Sequence, residues 1–201
     1  MNQYVTVQPL AELLRLDERN VYMYLISAYF DEQTNKRING YIEKIAEQTG
    51  NTFMIENQVP PHMTISAVEA RNGELLIPYV DKLQNTLYQG NLQFVSVGMF
   101  FPYVMYLAPV LNGYLQEMAE QVYQSVCNVP EVSVNRCYKP MQWMPHITLG
   151  KKLTKEQMRI AFAIMQERFA PFEGNVTGIG LAKTNPHEDI LRMSLGCRCA
   201  D

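Results

Sequence analysis

The sequence predicts an α+β fold of two similar lobes, and three observations predict it. Pro61-His62-Met63-Thr64-Ile65 recurs as Pro145-His146-Ile147-Thr148-Leu149, an offset of 84 positions. The same offset carries residues 21–25 onto 105–109 and 94–98 onto 178–182, so one strand-like segment falls on another. The order strand, helix, His strand, helix, strand therefore appears twice, which suits two α+β lobes rather than a solenoid. At 201 residues the chain is short for two independent domains, so it is read as one unit over residues 1–201. Its repeat halves run roughly over 21–99 and 100–196, after a short helical lead-in at 1–20.

Each element follows from local pattern. Residues 21–30 are rich in aromatic and β-branched side chains and hold no Gly or Pro, as a central strand requires. From Asp31, apolar Ile38, Tyr41, Ile42, Ile45 and Ala46 recur three and four apart, an amphipathic helix over 31–49 closed by Gly50. A strand is expected over 61–68, and a helix over 75–88 with Leu76, Val80, Leu83 and Leu87 on one stripe before Gly90. Residues 92–109 read as two strands punctuated by Gly98 and Pro102. Helix 111–126, strand 145–151, helix 154–169 and a hairpin of 173–184 with 189–196 around Asn185-Pro186 complete the reading.

Composition narrows the function. A hydrophobic fraction of 47% and a charged fraction of 18% predict a chain that folds throughout, without long disordered tails. The formal net charge of −3 argues against a protein that tracks long nucleic acid by its phosphates, which needs a broad cationic surplus. No run approaches the length needed to span a bilayer and no export signal stands at Met1-Asn2-Gln3-Tyr4, so a cytoplasmic, membrane-free protein is expected, with a monomer favoured. Cys127, Cys137, Cys197 and Cys199 then read as reduced thiols. Cys197-Arg198-Cys199 is too tightly spaced for a usual zinc pair, and no metal or cofactor is expected. The chain carries no Gly-rich phosphate loop, no Ser nucleophile elbow and no His-x-x-x-His pair.

The chemistry lies in the repeated His-x-Thr. Side chains two apart on a strand share a face, so His62 stands with Thr64, and His146 with Thr148. Lobes related by a twofold would bring two imidazoles and two hydroxyls into one groove. That set suits a phosphodiester. Imidazole titrates near neutrality and serves as acid or base on either side of phosphorus, each proton transfer worth roughly 10²–10⁴-fold. The hydroxyls donate to non-bridging oxygens and stabilise charge in the transition state.

These paired motifs resemble those of the 2H phosphoesterase superfamily, and within it bacterial proteins of the 2′-5′ RNA ligase and RNA 2′,3′-cyclic phosphodiesterase type. The resemblance extends over about residues 21–196. It includes Val97-Gly98-Met99-Phe100, similar to a Gly-x-Phe turn between lobes, and the basic Lys151 after the second motif. It implies a bilobal fold of two pseudo-symmetric antiparallel sheets with outer helices around a central groove. It also implies metal-independent chemistry on 2′,3′-cyclic or 2′-5′ linkages, reversible in the ligase sense, with His62 as proton donor and His146 as acceptor. Ser66-Ala67-Val68-Glu69 departs from the more apolar continuation of the ligase-type pattern. The substrate therefore stays open among an RNA end, a 2′-5′ oligonucleotide, a cyclic nucleotide signal and an ADP-ribose cyclic phosphate. A cyclic-oligonucleotide-degrading enzyme and a non-catalytic nucleotide-binding module are the alternatives.

Lys151 is a candidate phosphate contact, although a regular strand would turn it away from His146 and Thr148. Tyr22, Tyr24, Phe101, Tyr103 and Trp143 are candidates for stacking a base, each with core packing or loop anchoring as the competing role. Arg136, Lys139 and Trp143 form an irregular basic stretch that suits a substrate loop or a solvated one. His187, in Asn185-Pro186-His187-Glu188, is expected as an exposed turn residue.

Overall fold

The computed structural model describes residues 21–184 and 187–198; the predicted lead-in, Cys199 and the turn residues Asn185 and Pro186 lie outside them. The described elements begin with β1 (Tyr22–Phe30), α1 (Glu32–Thr49), α2 (Phe53–Glu56), β2 (Met63–Ala70), α3 (Ile77–Asp81), β3 (Gly90–Phe100) and β4 (Val104–Pro109). They continue with α4 (Gly113–Val126), β5 (Ser133–Val134), β6 (Ile147–Gly150), α5 (Lys155–Arg168), β7 (Phe172–Lys183) and β8 (Glu188–Ser194).

Helix ends follow capping chemistry. Asp31 accepts from the Thr34 amide at the start of α1, and Gly50 closes it at φ 69°, a left-handed conformation that glycine adopts without a Cβ penalty. Asn112 caps α4, and Thr154 forms a reciprocal capping box with Gln157 on α5. The helix expected over 75–88 is instead three short turns, Gly73–Leu75, α3 and Lys82–Asn85. Pro78 explains the break: it lacks an amide hydrogen and is tolerated only in a first turn, so the helix restarts around it. Gly98 does not punctuate the strands as predicted but lies within β3, where a Cβ would come within 2.5 Å of the Tyr106 ring. The turn falls at Phe101-Pro102-Tyr103.

The eight strands join in one antiparallel sheet, β5 pairing with β2, that divides into two arrays. One array runs β2-β1-β7-β8 and the other β6-β4-β3-β7, so the long β7 belongs to both: its first half pairs with β3, its second with β1 and β8. The two arrays meet again at a single pair, Met63 opposite Ile147. Both this pair and Asn91 opposite Asn175 join residues 84 apart, so each residue faces its own repeat counterpart. A pseudo-twofold axis therefore passes through these two pairs. Because β3 pairs with β4 and β7 with β1, each half of the sequence lends its last long strand to the other lobe. The helices cross over likewise, α1 lying against β6 and α5, and α4 against β2.

The core sits between these helices and the sheets. Phe94 is fully buried, stacked on Phe172 at 4.8 Å and edge-on to Phe30 at 5.9 Å, where β3 and β7 join the lobes. Among the described residues no helix is long and apolar enough to cross a membrane. Phe94→Ala is expected to cost about 3–5 kcal/mol through the cavity it leaves, read by denaturant unfolding, with both lobes losing structure in one transition. Two separate transitions would show that the lobes do not share this core.

Candidate active site

Both histidines stand one residue before their strands, since β2 begins at Met63 and β6 at Ile147 rather than at the prolines as predicted. Pro61 and Pro145 have no amide hydrogen for a ladder, so pairing starts after them. A proline also holds the residue before it in an extended conformation, which fixes the carbonyl of that residue relative to the histidine after the proline. The outcome is the same twice. His62 Nδ1 lies 2.8 Å from the Pro60 carbonyl oxygen, and His146 Nδ1 lies 3.0 Å from that of Met144. A carbonyl only accepts, so each Nδ1 carries its hydrogen and donates, leaving Nε2 as the nitrogen that can exchange a proton with a substrate.

The Met63–Ile147 pair then orients the motifs. Met63 and Ile147 are fully buried, and the flanking residues turn to the opposite face, where His62, Thr64, His146 and Thr148 line one cleft of about 350 Å³. Because the pairing is antiparallel, His62 lies across from Thr148, and Thr64 across from His146. A phosphate seated there has an imidazole and a hydroxyl from each half.

The two imidazoles differ in surroundings. Burial holds His62 below the ordinary histidine range, the charges of His187 and His146 push the same way, and the Pro60 carbonyl and Asp189 act in the opposite sense. Burial also lowers His146, opposed by the Met144 carbonyl. His146 meets the edges of two aromatic rings, Phe100 at 4.8 Å and Tyr106 at 5.7 Å. His62 instead has Tyr29 at 6.4 Å and the stacked ring of His187 at 6.2 Å.

The other candidates separate clearly. Lys151 lines the cleft, its Nζ 5.8 Å from the Phe53 ring, despite the face expected for a regular strand: β6 ends at Gly150, and alternation ends with it. Trp143 is buried and its Nε1 donates to the Thr64 carbonyl at 2.9 Å, so it anchors the first motif strand rather than presenting a face to a base. Tyr24 is a core residue packed over Gly73, and Tyr22 lies outside the cleft under the Lys183 ammonium, 3.8 Å from its ring. Phe101 and Tyr103 are 85% and 59% exposed on the β3–β4 turn, beyond Phe100. Arg136 and Lys139 do not line the cleft, but Tyr138 between them does. His187 is the main correction. Its side chain is only 18% exposed, and it forms part of the cleft wall.

Sequence reasoning missed Phe53, Asn57, Lys152 and Thr184 in the same lining. The doublet Lys151-Lys152 was the available signal for one of them, Lys152 taking φ 58° and setting its ammonium 4.6 Å from the Phe53 ring. Nothing in the four-residue α2 marks Phe53. Among the described residues no three His, Cys, Asp or Glu side chains gather as a metal-ligand set.

The titration of these histidines predicts a pH effect on stability. Both are held below their ordinary value of 6.5, so the unfolded chain binds more protons than the folded one as pH falls. The stability is therefore full above about 6.5 and is lost as pH drops through the folded values. Melting temperatures between pH 8 and 5 are expected to fall towards the acid end, and the His62→Gln/His146→Gln double variant to flatten that slope. An unchanged slope would mean that neither histidine is buried in its neutral form.

None of the curated proteins matches the chain by sequence. Among solved structures, E. coli LigT without ligand aligns at a TM-score of 0.55 and 14% identity over 88% of this chain and 99% of its own. LigT complexed with 3′-AMP gives 0.56, and with phosphate 0.52, over the same shares at 14% and 12% identity; at that identity the likeness is one of fold. A model of the 2′-5′ RNA ligase superfamily matches residues 42–188, a span that takes in both His-x-Thr motifs. The chain belongs to the 2′-5′ RNA ligase superfamily, a branch of the two-histidine phosphoesterases.

Proposed function

We propose that this chain is a metal-independent phosphodiesterase acting on 2′,3′-cyclic phosphate or 2′-5′ linkages at RNA ends or in small nucleotides. One observation carries the reading: both His-x-Thr pairs line a single cleft, each with Nδ1 tied to a backbone carbonyl and Nε2 left for chemistry. His146 takes the proton of the attacking water, and His62 gives one to the departing sugar oxygen. Thr64 and Thr148 hold the non-bridging oxygens, where charge builds in the transition state. The roles exchange for ligation. Lys151 and Lys152, at the cleft on the Phe53 ring, add positive charge for a substrate phosphate.

Phe101 and Tyr103, on the turn that brings Phe100 against His146, stack a base of the bound nucleotide. A net charge of −3 favours small ligands held by one or two phosphates. The capture of LigT with 3′-AMP, ATP and phosphate supports a ligand of that class.

The test is turnover of 2′,3′-cyclic nucleotides and 2′-5′ dinucleotides in chelator, by the parent and four variants. His62→Ala and His146→Ala are each expected to abolish turnover with the fold retained, and non-additively, because acid and base serve one displacement. Thr64→Val and Thr148→Val remove one hydrogen bond to charged oxygen and are expected to lose roughly 10–100-fold. Activity that chelator removes and zinc restores would overturn the mechanism. Tight binding with every diester recovered intact would make the chain a nucleotide-binding module.

A further inference from the structure

We propose that His187, with Asp189 behind it, is a positioning residue for His62: its ring backs the His62 imidazole, and the His187–Asp189 pair adjusts how firmly His62 holds its proton. The proposal rests on the reading of His62 as an acid–base group. Its geometric basis is independent of that reading.

His187 follows the end of β7, the strand that corresponds to β3 in the repeat. The end of β3 sets the Phe100 ring edge-on to His146, whereas the turn leaving β7 sets the His187 ring 24° from parallel with that of His62. The nearest ring beside His146 is thus apolar and the nearest beside His62 titratable, although the offset of 84 pairs Phe100 with Thr184 and His187 with Tyr103. His187 also stands as a wall between two spaces. On one side is the cleft with His62, and on the other a polar recess lined by Glu56, Asn57, Gln58, Asp189 and Arg192.

The His187 Nε2 is buried and makes no hydrogen bond, although Asp189 Oδ1 lies 3.3 Å away off the bonding direction. A buried imidazole nitrogen left without a partner is costly in a purely structural role, which points to a role for His187 beyond packing. Asp189 is itself held in place. The Tyr29 hydroxyl donates to it at 3.5 Å, and Arg192 approaches its other oxygen at 3.8 Å while lying 3.7 Å from the centre of the Tyr29 ring. Burial first, and Asp189 second, push the Tyr29 phenol up to about 12, so it remains a donor.

The groups that face His187 are then His62 and His146 from the two motifs, Tyr29 from β1, Glu56 from α2, Asp189 and Arg192 from β8, Tyr138, and Lys151 and Lys152 after β6. His187 and Asp189 act on His62 in opposite senses, a charged His187 disfavouring a protonated His62 and Asp189 favouring it, while His146 pushes the same way as His187. Neither His187 nor Asp189 acts on His146 in this way.

The 201-residue chain has three histidines, so its imidazole NMR signals can be followed one by one as pH changes. His187→Phe keeps a flat ring against His62 but carries no charge, His187→Ala removes both, and Asp189→Asn removes the carboxylate charge. The His62 midpoint is expected to rise in both His187 variants and to fall in Asp189→Asn, by on the order of half a pH unit, with His146 unmoved. The basic limb of kcat/KM should move in the same directions, and kcat should fall further in His187→Ala than in His187→Phe. A His62 midpoint that stays put, or that moves the same way in His187→Phe and Asp189→Asn, overturns the proposal. If His187→Ala does not fold, the other two variants carry the comparison. Opposed shifts without turnover of any diester would support this relation and fault the proposed reaction alone.

Discussion

One backbone pair, Met63 opposite Ile147, is the constraint on which the cleft depends. It is the sole rung in the ladder between β2 and β6, and it lies on the pseudo-twofold axis. A one-residue slip of either strand would turn its own His-x-Thr pair into the core and bring its Met63 or Ile147 into the cleft, because side chains alternate along a strand. A single rung is weak by itself. The Trp143 indole supplies a second tie by donating to the Thr64 carbonyl, and the crossed packing of α1 on β6 and α4 on β2 binds each motif strand to a helix from the opposite half. The residue read as a base-stacking candidate is thus part of what keeps the register.

The repeat was legible because it is written in residues with few substitutes. Pro-His-x-Thr needs proline to place a carbonyl, imidazole to use it, and a hydroxyl two positions on. The pattern therefore stands out in the sequence and marks β2 and β6 to within two residues of where their ladders begin. The strands β1, β3, β4, β7 and β8 and the helices α1, α4 and α5 were legible for the ordinary reason that burial of one face imposes a period.

What was missed has physical causes of the opposite kind. Apolar spacing over residues 75–88 suited a continuous helix, yet Pro78 removed the amide hydrogen on which continuity depends. Gly98 carried a turn signal, although its missing side chain serves the Tyr106 ring on the neighbouring strand. His187 was assigned by its Asn-Pro neighbours to an exposed turn. Its burial arises from His62, 125 positions away in sequence, and no local pattern encodes such a contact. Phe53 and Asn57 enter the lining by the same route, through a four-residue helix with no periodicity to read.

A symmetric pair of motifs can seat a phosphate, but an acid and a base must differ at the moment of reaction. The repeat supplies the likeness: equal Nδ1 bonds, equal threonines, strands related by a twofold. The difference comes from residues outside the repeated motif, on β1, at the end of β3, on β4 and at the turn from β7 into β8. Phe100 and Tyr106 surround His146 with aromatic edges, while Tyr29, His187 and Asp189 give His62 a polar shell that can respond to charge. Under the proposed chemistry, a proton passes in at one histidine and out at the other, and the direction is biased by whichever imidazole holds its proton more firmly. Under that proposal the scaffold's symmetry would make both directions available, and the asymmetric shell around His62 is the feature of the fold that would distinguish them.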